Sequence, residues 1–186
     1  MSTLFKESEM KCVKEKGNGF FIPRCYESAG QADPNCGANL KNAKAAGLKT
    51  DVYMFPCVHC GNPEKQAEEA IKAAGSNHVG TWWIDIEPGG WGTDKAKNKK
   101  FIEDFAKGLK AKGKSAGIYT NYNFWMTICG LDYSGMSHLP LWYTHADNKA
   151  ACSDFKPFGG WKKPKMKQYT GTTSLCSGSV DLNIEC

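Results

Sequence analysis

Two carboxylates one residue apart, Asp85 and Glu87, end the apolar run Val79-Gly80-Thr81-Trp82-Trp83-Ile84, and Pro88-Gly89-Gly90 follows them as a turn signal. Read as a strand, the run places Trp82, Ile84 and Ile86 on one face and Trp83, Asp85 and Glu87 on the other. Two strand steps put the acids roughly 6 to 7 Å apart, a spacing that suits a carboxyl pair flanking a glycosidic bond. Like charges this close push their pKa values apart, leaving one acid and one base. The plainer alternative is a strand end whose acids cap a helix or bind a cation.

Further candidates stand at or near other strand ends: Tyr26, Phe55, Tyr119, Trp142, His145, Tyr169 and Asp181. Rings and carboxylates at one end of a sheet suit a sugar, whose C–H faces stack on rings and whose hydroxyls need polar partners. Any one of these aromatics alone reads more naturally as core. Asp85, Glu87, Asp181 and His145 would have to converge to hold a divalent ion, but no His-x-x-x-His or similar ligand spacing supports it. Cys57-Val58-His59-Cys60 reads as half a zinc site, a redox pair or a disulfide. With no second Cys-x-x-Cys, the disulfide is preferred. No metal and no cofactor is expected, and His59, His78 and His138 read as surface or structural residues.

The elements that must position these groups alternate. A helix over 8–17 stops at Gly17-Asn18-Gly19. The segment Phe20 to Tyr26 is a strand candidate in which Pro23 is awkward, because it removes a ladder donor. Then come a helix over 36–46, a strand over 51–55, and a helix that opens at Pro63 and runs through Ala74. The central strand, 79–87, follows. The longest helix, 95–112, carries Phe101, Phe105 and Leu109 on one stripe. A strand over 114–120 and a short helix over 122–129 complete the alternating part. Strands over 139–145, 165–170 and 179–184 end the chain without helices between them. Alternation of this kind implies a parallel sheet with helices outside it. No Gly-rich phosphate loop follows the first strand, so a closed barrel fits better than a doubly wound sheet. Barrel chemistry sits at the carboxyl ends of the strands, where Asp85 and Glu87 stand.

The 186 residues suit one domain, 1–186, with no repeat and no linker. No apolar run approaches the roughly 20 residues that span a bilayer, so membrane insertion is not expected. The net charge of +5 is a mild field that would concentrate an anionic partner such as a bacterial wall. No aromatic-basic nucleic-acid motif accompanies it. Most of the lysines, clustered at 95–100, 107–114 and 162–167, read as solvated faces. Nine cysteines without paired metal motifs imply disulfides and an oxidising compartment. The odd number leaves at least one unpaired, with connectivity open.

Across nearly its whole length the chain resembles the lysozymes of glycoside hydrolase family 25, the Chalaropsis-type muramidases. The residues that carry the resemblance are Arg24-Cys25-Tyr26, Asp51-Val52-Tyr53-Met54-Phe55-Pro56, Trp83-Ile84-Asp85-Ile86-Glu87, Gly117-Ile118-Tyr119-Thr120, Leu141-Trp142, Gln168-Tyr169 and Val180-Asp181-Leu182-Asn183. The Cys-rich form is similar to members from invertebrates and amoebae. The resemblance implies an irregular, TIM-like β/α barrel with few outer helices in its C-terminal third. It implies hydrolysis of the β-1,4 bond between N-acetylmuramic acid and N-acetylglucosamine in bacterial peptidoglycan, for defence or digestion. The reaction would be retaining, with the substrate's own acetamide as an assisting group.

By the same resemblance Glu87 is the general acid/base, Asp85 supports the acetamido group or serves as second carboxylate, and Asp181 is a further active-site acid. Glu87 is expected to begin protonated because Asp85 and the Trp82/Trp83 layer raise its pKa. Arg24, Tyr26, Phe55, Tyr119, Trp142 and Tyr169 are its substrate-binding candidates. A secreted or lysosomal monomer is implied. One departure stands out. Family members open with a strand carrying an aspartate, Asp-Val-Ser, where this chain has Met1-Ser2-Thr3-Leu4. The first strand is therefore expected to be cut short, with a barrel edge exposed. That departure favours the rival reading, a non-catalytic peptidoglycan- or sugar-binding protein on a degenerate barrel. A chitinase of the other substrate-assisted type is disfavoured, because two earlier aspartates of its pattern are absent.

Overall fold

The computed structural model describes residues 3–186. Five helices and ten strands follow in chain order: α1 (Glu7–Glu15), β1 (Phe20–Phe21), β2 (Arg24–Glu27), β3 (Gln31–Ala32), α2 (Cys36–Ala45), β4 (Lys49–Thr50), β5 (Val52–Met54), α3 (Pro63–Ala74), β6 (Thr81–Asp85), α4 (Lys95–Ala111), β7 (Ser115–Thr120), α5 (Tyr122–Ile128), β8 (Leu141–Thr144), β9 (Met166–Leu175) and β10 (Gly178–Glu185). A 3-10 turn spans Val58–Cys60.

Local chemistry sets the boundaries. Pro63 fills the first turn of α3, where its missing N–H costs nothing. Asp94 caps α4 by accepting from the Ala96 and Lys97 amides. Pro23 splits the 20–26 segment, expected as one strand, into two. β1 pairs in parallel with β4, and β2 pairs with β5. The Pro23 carbonyl still accepts from the Tyr53 amide at 3.1 Å, so only the donor is lost. The short strands β3 and β4 carry no alternation long enough to announce themselves.

Eight strands form one curled sheet in the order β10-β9-β8-β7-β6-β5-β2-β3. From β2 through β9 neighbouring strands run parallel, and β9–β10 is an antiparallel hairpin. The β/α barrel is thus a curled half-barrel, and among the described residues its ladder ends at β10 and β3 rather than closing. The outer face of the sheet (Val52, Met54, Trp82, Ile84, Ile118, Leu141, Tyr143) packs under α3 and α4 with Ala67, Ala70, Ile102, Phe105 and Leu109. The inner face carries a separate cluster of Ile22, Trp83, Tyr119, Trp142 and Met166. Strand alternation therefore sorts Trp82 from Trp83 as the sequence implies.

A third cluster, built on Phe5, Met10, Val13, Phe21, Leu48 and Val180, joins α1 and α2 to the start of β10. It covers the seam between β10 and β1, and the Cys12–Cys176 disulfide fastens it. Of the segment expected to be a shortened first strand, Met1 and Ser2 lie outside the described residues. Thr3 and Leu4 are irregular rather than strand, and the Thr3 carbonyl accepts from Asn39 of α2.

Candidate active site

The inner face opens at the carboxyl ends of the strands into a cleft of about 640 Å³, whose lining includes Phe55, Asp85, Glu87, Tyr119, Trp142, Tyr169 and Asp181. β6 delivers the first acid. In register, Asp85 lies beside Tyr119 of β7, and Tyr119 beside Trp142 of β8. Just past the strand, the Ile86 amide donates to the Tyr119 carbonyl and the Thr120 hydroxyl donates to the Ile86 carbonyl. The Trp91 indole donates to the Glu87 carbonyl at 2.9 Å. These bonds fix the backbone on both sides of Glu87 before any ligand arrives.

The carboxyl groups of Asp85 and Glu87 are hydrogen-bonded to each other. β6 ends at Asp85, so Glu87 stands just beyond the ladder. Asp85 is buried, at 5% exposure, and its Oδ1 has no hydrogen-bond partner among the described residues. Burial, followed by the charge and hydrogen bond of Glu87, holds its pKa well above the usual carboxylate range. Glu87 is also raised, by burial and by the charge of Asp181, although its hydrogen bond from Asp85 works the other way. Asp181 is raised by burial. Both acids are raised, and the order in which they take up protons belongs to the pair rather than to either residue.

Aromatic and amide groups build the rest of the wall. The Trp142 ring meets Tyr119 edge-on at 4.7 Å and Trp83 at 5.7 Å. Its indole donates to Asn183 at 2.9 Å. The Tyr119 hydroxyl donates to Gln168 Oε1 at 2.8 Å, and Gln168 Nε2 donates to Asp181 at 3.3 Å. Burial foremost, with the Asp85 charge behind it, raises the pKa of Tyr119, so its hydroxyl keeps its proton. Trp83 is held from below by Asp51, which accepts from its indole and from the Thr81 amide.

Not every sequence candidate reaches the cleft. Tyr26 faces outward into the helix-side core, at 2% exposure. Burial and the neighbouring Glu69 carboxylate push its hydroxyl up to about 12. A register irregularity on β2 between Arg24 and Tyr26 pairs Tyr26 with the outward-facing Met54, which turns it towards α3 and away from the inner face. Arg24 does not line the cleft either, since its guanidinium is taken up by Asp33 and Glu27. His145 lies apart from Asp85, Glu87 and Asp181. It pairs with Asp154 at 2.6 Å, beside Asp147. The Lys167 ammonium, fully buried, bridges the same two aspartates at 2.8 and 2.9 Å. Lys167 is thus no solvated lysine of the 162–167 cluster, and it supplies the positive charge that those carboxylates need. The other group with ligand geometry, Cys57, His59 and Cys60, has its sulfurs joined in a disulfide.

Gln168, Tyr53 and Asn183 line the cleft without having been singled out. Gln168 was findable. It shares parity on β9 with the inward-facing Met166, so a polar residue there has to meet the cleft.

A curled β/α half-barrel with a hydrogen-bonded carboxyl pair at its mouth has the architecture of a glycoside hydrolase. The family model described as "Lysozyme-like protein 1" matches residues 1–169. The chain is 45% identical over 184 residues to lysozyme-like protein 5 of Caenorhabditis elegans, covering 95% of this chain and 85% of that protein. It is 44% identical over 176 residues to probable GH family 25 lysozyme 2 of Dictyostelium discoideum, covering 92% of this chain and 82% of that protein. The bacterial lysozyme from Streptomyces coelicolor superposes with a TM-score of 0.78 at 25% identity, over 95% of this chain and 85% of that one. The chain belongs to the lysozymes of glycoside hydrolase family 25.

Proposed function

We propose that the protein hydrolyses the β-1,4 bond between N-acetylmuramic acid and N-acetylglucosamine in bacterial peptidoglycan, with Glu87 as the group that moves the proton. The observation that carries this reading is the hydrogen-bonded, solvent-poor pair of Asp85 and Glu87 at the head of an aromatic cleft.

The geometry supports one route within that reaction. A nucleophilic carboxylate acts about 5 Å or more from the acid, with the sugar between them. The interaction between the two acids favours Asp85 as support for the acetamido group over Asp85 as the nucleophile. The pair works as one unit that titrates in coupled steps. As the sugar displaces water from Glu87, the shared proton passes from Asp85 to Glu87 and on to the leaving oxygen. Asp85, now a carboxylate, accepts the N–H of the substrate acetamide, whose oxygen supports the developing positive centre. Glu87 then takes a proton from the attacking water. Asp181 raises Glu87 by its charge, which keeps the acid form available. Tyr119 and Gln168 orient the acetamide, and Phe55, Trp142 and Tyr169 offer ring faces to the sugars.

Secretion or a lysosomal location, where disulfides persist, is part of the proposal. So is action as a monomer, because one chain supplies every residue named. The test is clearing of a Gram-positive cell suspension. Glu87→Gln should lower the rate by about 10²–10⁴-fold, and Tyr119→Phe far less, over a bell-shaped pH profile centred on the acid side of neutrality. If wild type and Glu87→Gln both bind wall fragments and neither clears the suspension, the protein is a binding module and the hydrolytic reading fails.

A further inference from the structure

Four disulfides cross-link the chain, and three of them fasten distant segments: Cys12–Cys176, Cys25–Cys36 and Cys152–Cys186 are separated by 164, 11 and 34 residues. The fourth, Cys57–Cys60, spans 3 residues. A loop this small constrains the unfolded chain least. Nor is this disulfide needed to hold its own segment. The Gln66 side chain of α3 already clamps the Cys57 amide at 3.0 Å and its carbonyl at 2.8 Å, and reaches the Gly61 carbonyl at 2.7 Å.

We infer that the Cys57–Cys60 disulfide is a thiol–disulfide exchange site, with His59 assisting, that takes a small or protein dithiol as its partner. The asymmetry of the pair assigns the direction of attack. Cys60 is exposed and Cys57 is buried. On the inner side the backbone of Gly30 closes on Cys60, where an added Cβ would stand 2.7 Å from its Sγ. A thiolate therefore arrives from solvent at Cys60 Sγ. A new S–S bond forms between the incoming sulfur and Cys60, the Cys57–Cys60 bond breaks, and its electron pair leaves on Cys57 Sγ. Both ring nitrogens of His59 lie 3.6 Å from that sulfur. A protonated imidazole there stabilises the leaving thiolate or gives it a proton, which speeds exchange. The second thiol of the partner then attacks the mixed disulfide, releasing Cys60 as a thiol and the partner as its own disulfide. Two electrons and two protons pass from the dithiol to the pair.

Because Gln66 holds Cys57 in place, the fold survives reduction and the pair can close again. The site also adjoins the turn after Glu87, where a Cβ on Gly90 would stand 3.9 Å from His59 Nδ1 and from Val58 Cβ.

The experiment is timed reduction of the folded protein by dithiothreitol and by reduced glutathione at neutral pH. Acid quenching, alkylation and peptide mass spectrometry then read each cysteine pair. Cys57–Cys60 should react about tenfold faster than the other pairs, with the circular dichroism unchanged, and oxidised glutathione should restore it. His59→Ala should slow that pair severalfold and leave Cys152–Cys186, which includes the exposed Cys186, at its original rate. His59→Gln serves if the alanine variant does not fold. Reduction of Cys57–Cys60 no faster than Cys152–Cys186 or Cys25–Cys36 would overturn the inference, as would a His59 variant with wild-type rates. Neither outcome depends on the hydrolytic reading.

Discussion

Burying a carboxyl such as that of Asp85 opposes folding wherever the group would be ionised in the unfolded chain. The folded-state pKa lies above the unfolded one. The stability contribution is therefore full below the unfolded value and is lost as pH rises through the folded value. Asp85→Asn keeps a side chain that can donate to Glu87 while removing the ionisation. It should raise stability at pH 7 by about 1 kcal/mol and change it much less at pH 3, where wild-type Asp85 is protonated in both states. Urea unfolding at the two pH values reads this directly. An equal gain at both would mean that packing, not charge, separates the two side chains. The same variant should lose wall-clearing activity, since Asn cannot pass a proton to Glu87.

The inner layer of the sheet is set by one exchange of volume between neighbouring strands. Gly117 on β7 lies in register with Trp83 on β6. A Cβ at residue 117 would stand 2.5 Å from the Trp83 ring and 2.8 Å from the Thr81 side chain. Glycine there makes room for a fully buried indole, which in turn supports Trp142 and the cleft wall. Gly117→Ala should cost about 2 kcal/mol, as overpacking does, and should alter the near-ultraviolet circular dichroism of the edge-packed Trp83 and Trp142. A wild-type spectrum and midpoint would show that the ring has room to move.

A curled sheet with two free edges needs its seam managed, since unpaired edges invite association. Here α1 lies over it, Phe5 meets Phe21 at 5.3 Å, and Cys12–Cys176 ties the helix to the tip of the β9–β10 hairpin. The disulfide closes nearly the whole chain into a loop, so its removal should be the most costly of the four in loop entropy. Replacing both cysteines with alanine should lower stability by about 4–5 kcal/mol, measured by urea unfolding. A loss below about 1 kcal/mol would show that Phe5 and Val13 hold the seam unaided.

Local signals were enough to place α3 from Pro63 to Ala74, to put β6 and α4 nearly at their limits, and to split Trp82 from Trp83, because alternation and capping depend only on near neighbours in sequence. The Asp85/Glu87 pair was legible for the same reason. Other features depended on groups far apart in the chain. Nothing near Lys167 in sequence shows that Asp147 and Asp154 enclose it, and nothing near Tyr26 shows that its strand turns it towards α3. The pairing of eight cysteines, the open seam under α1 and the burial that raises Asp85 also rest on distant contacts. Burial is a property of the assembled layers, and it is burial that decides where a carboxyl keeps its proton.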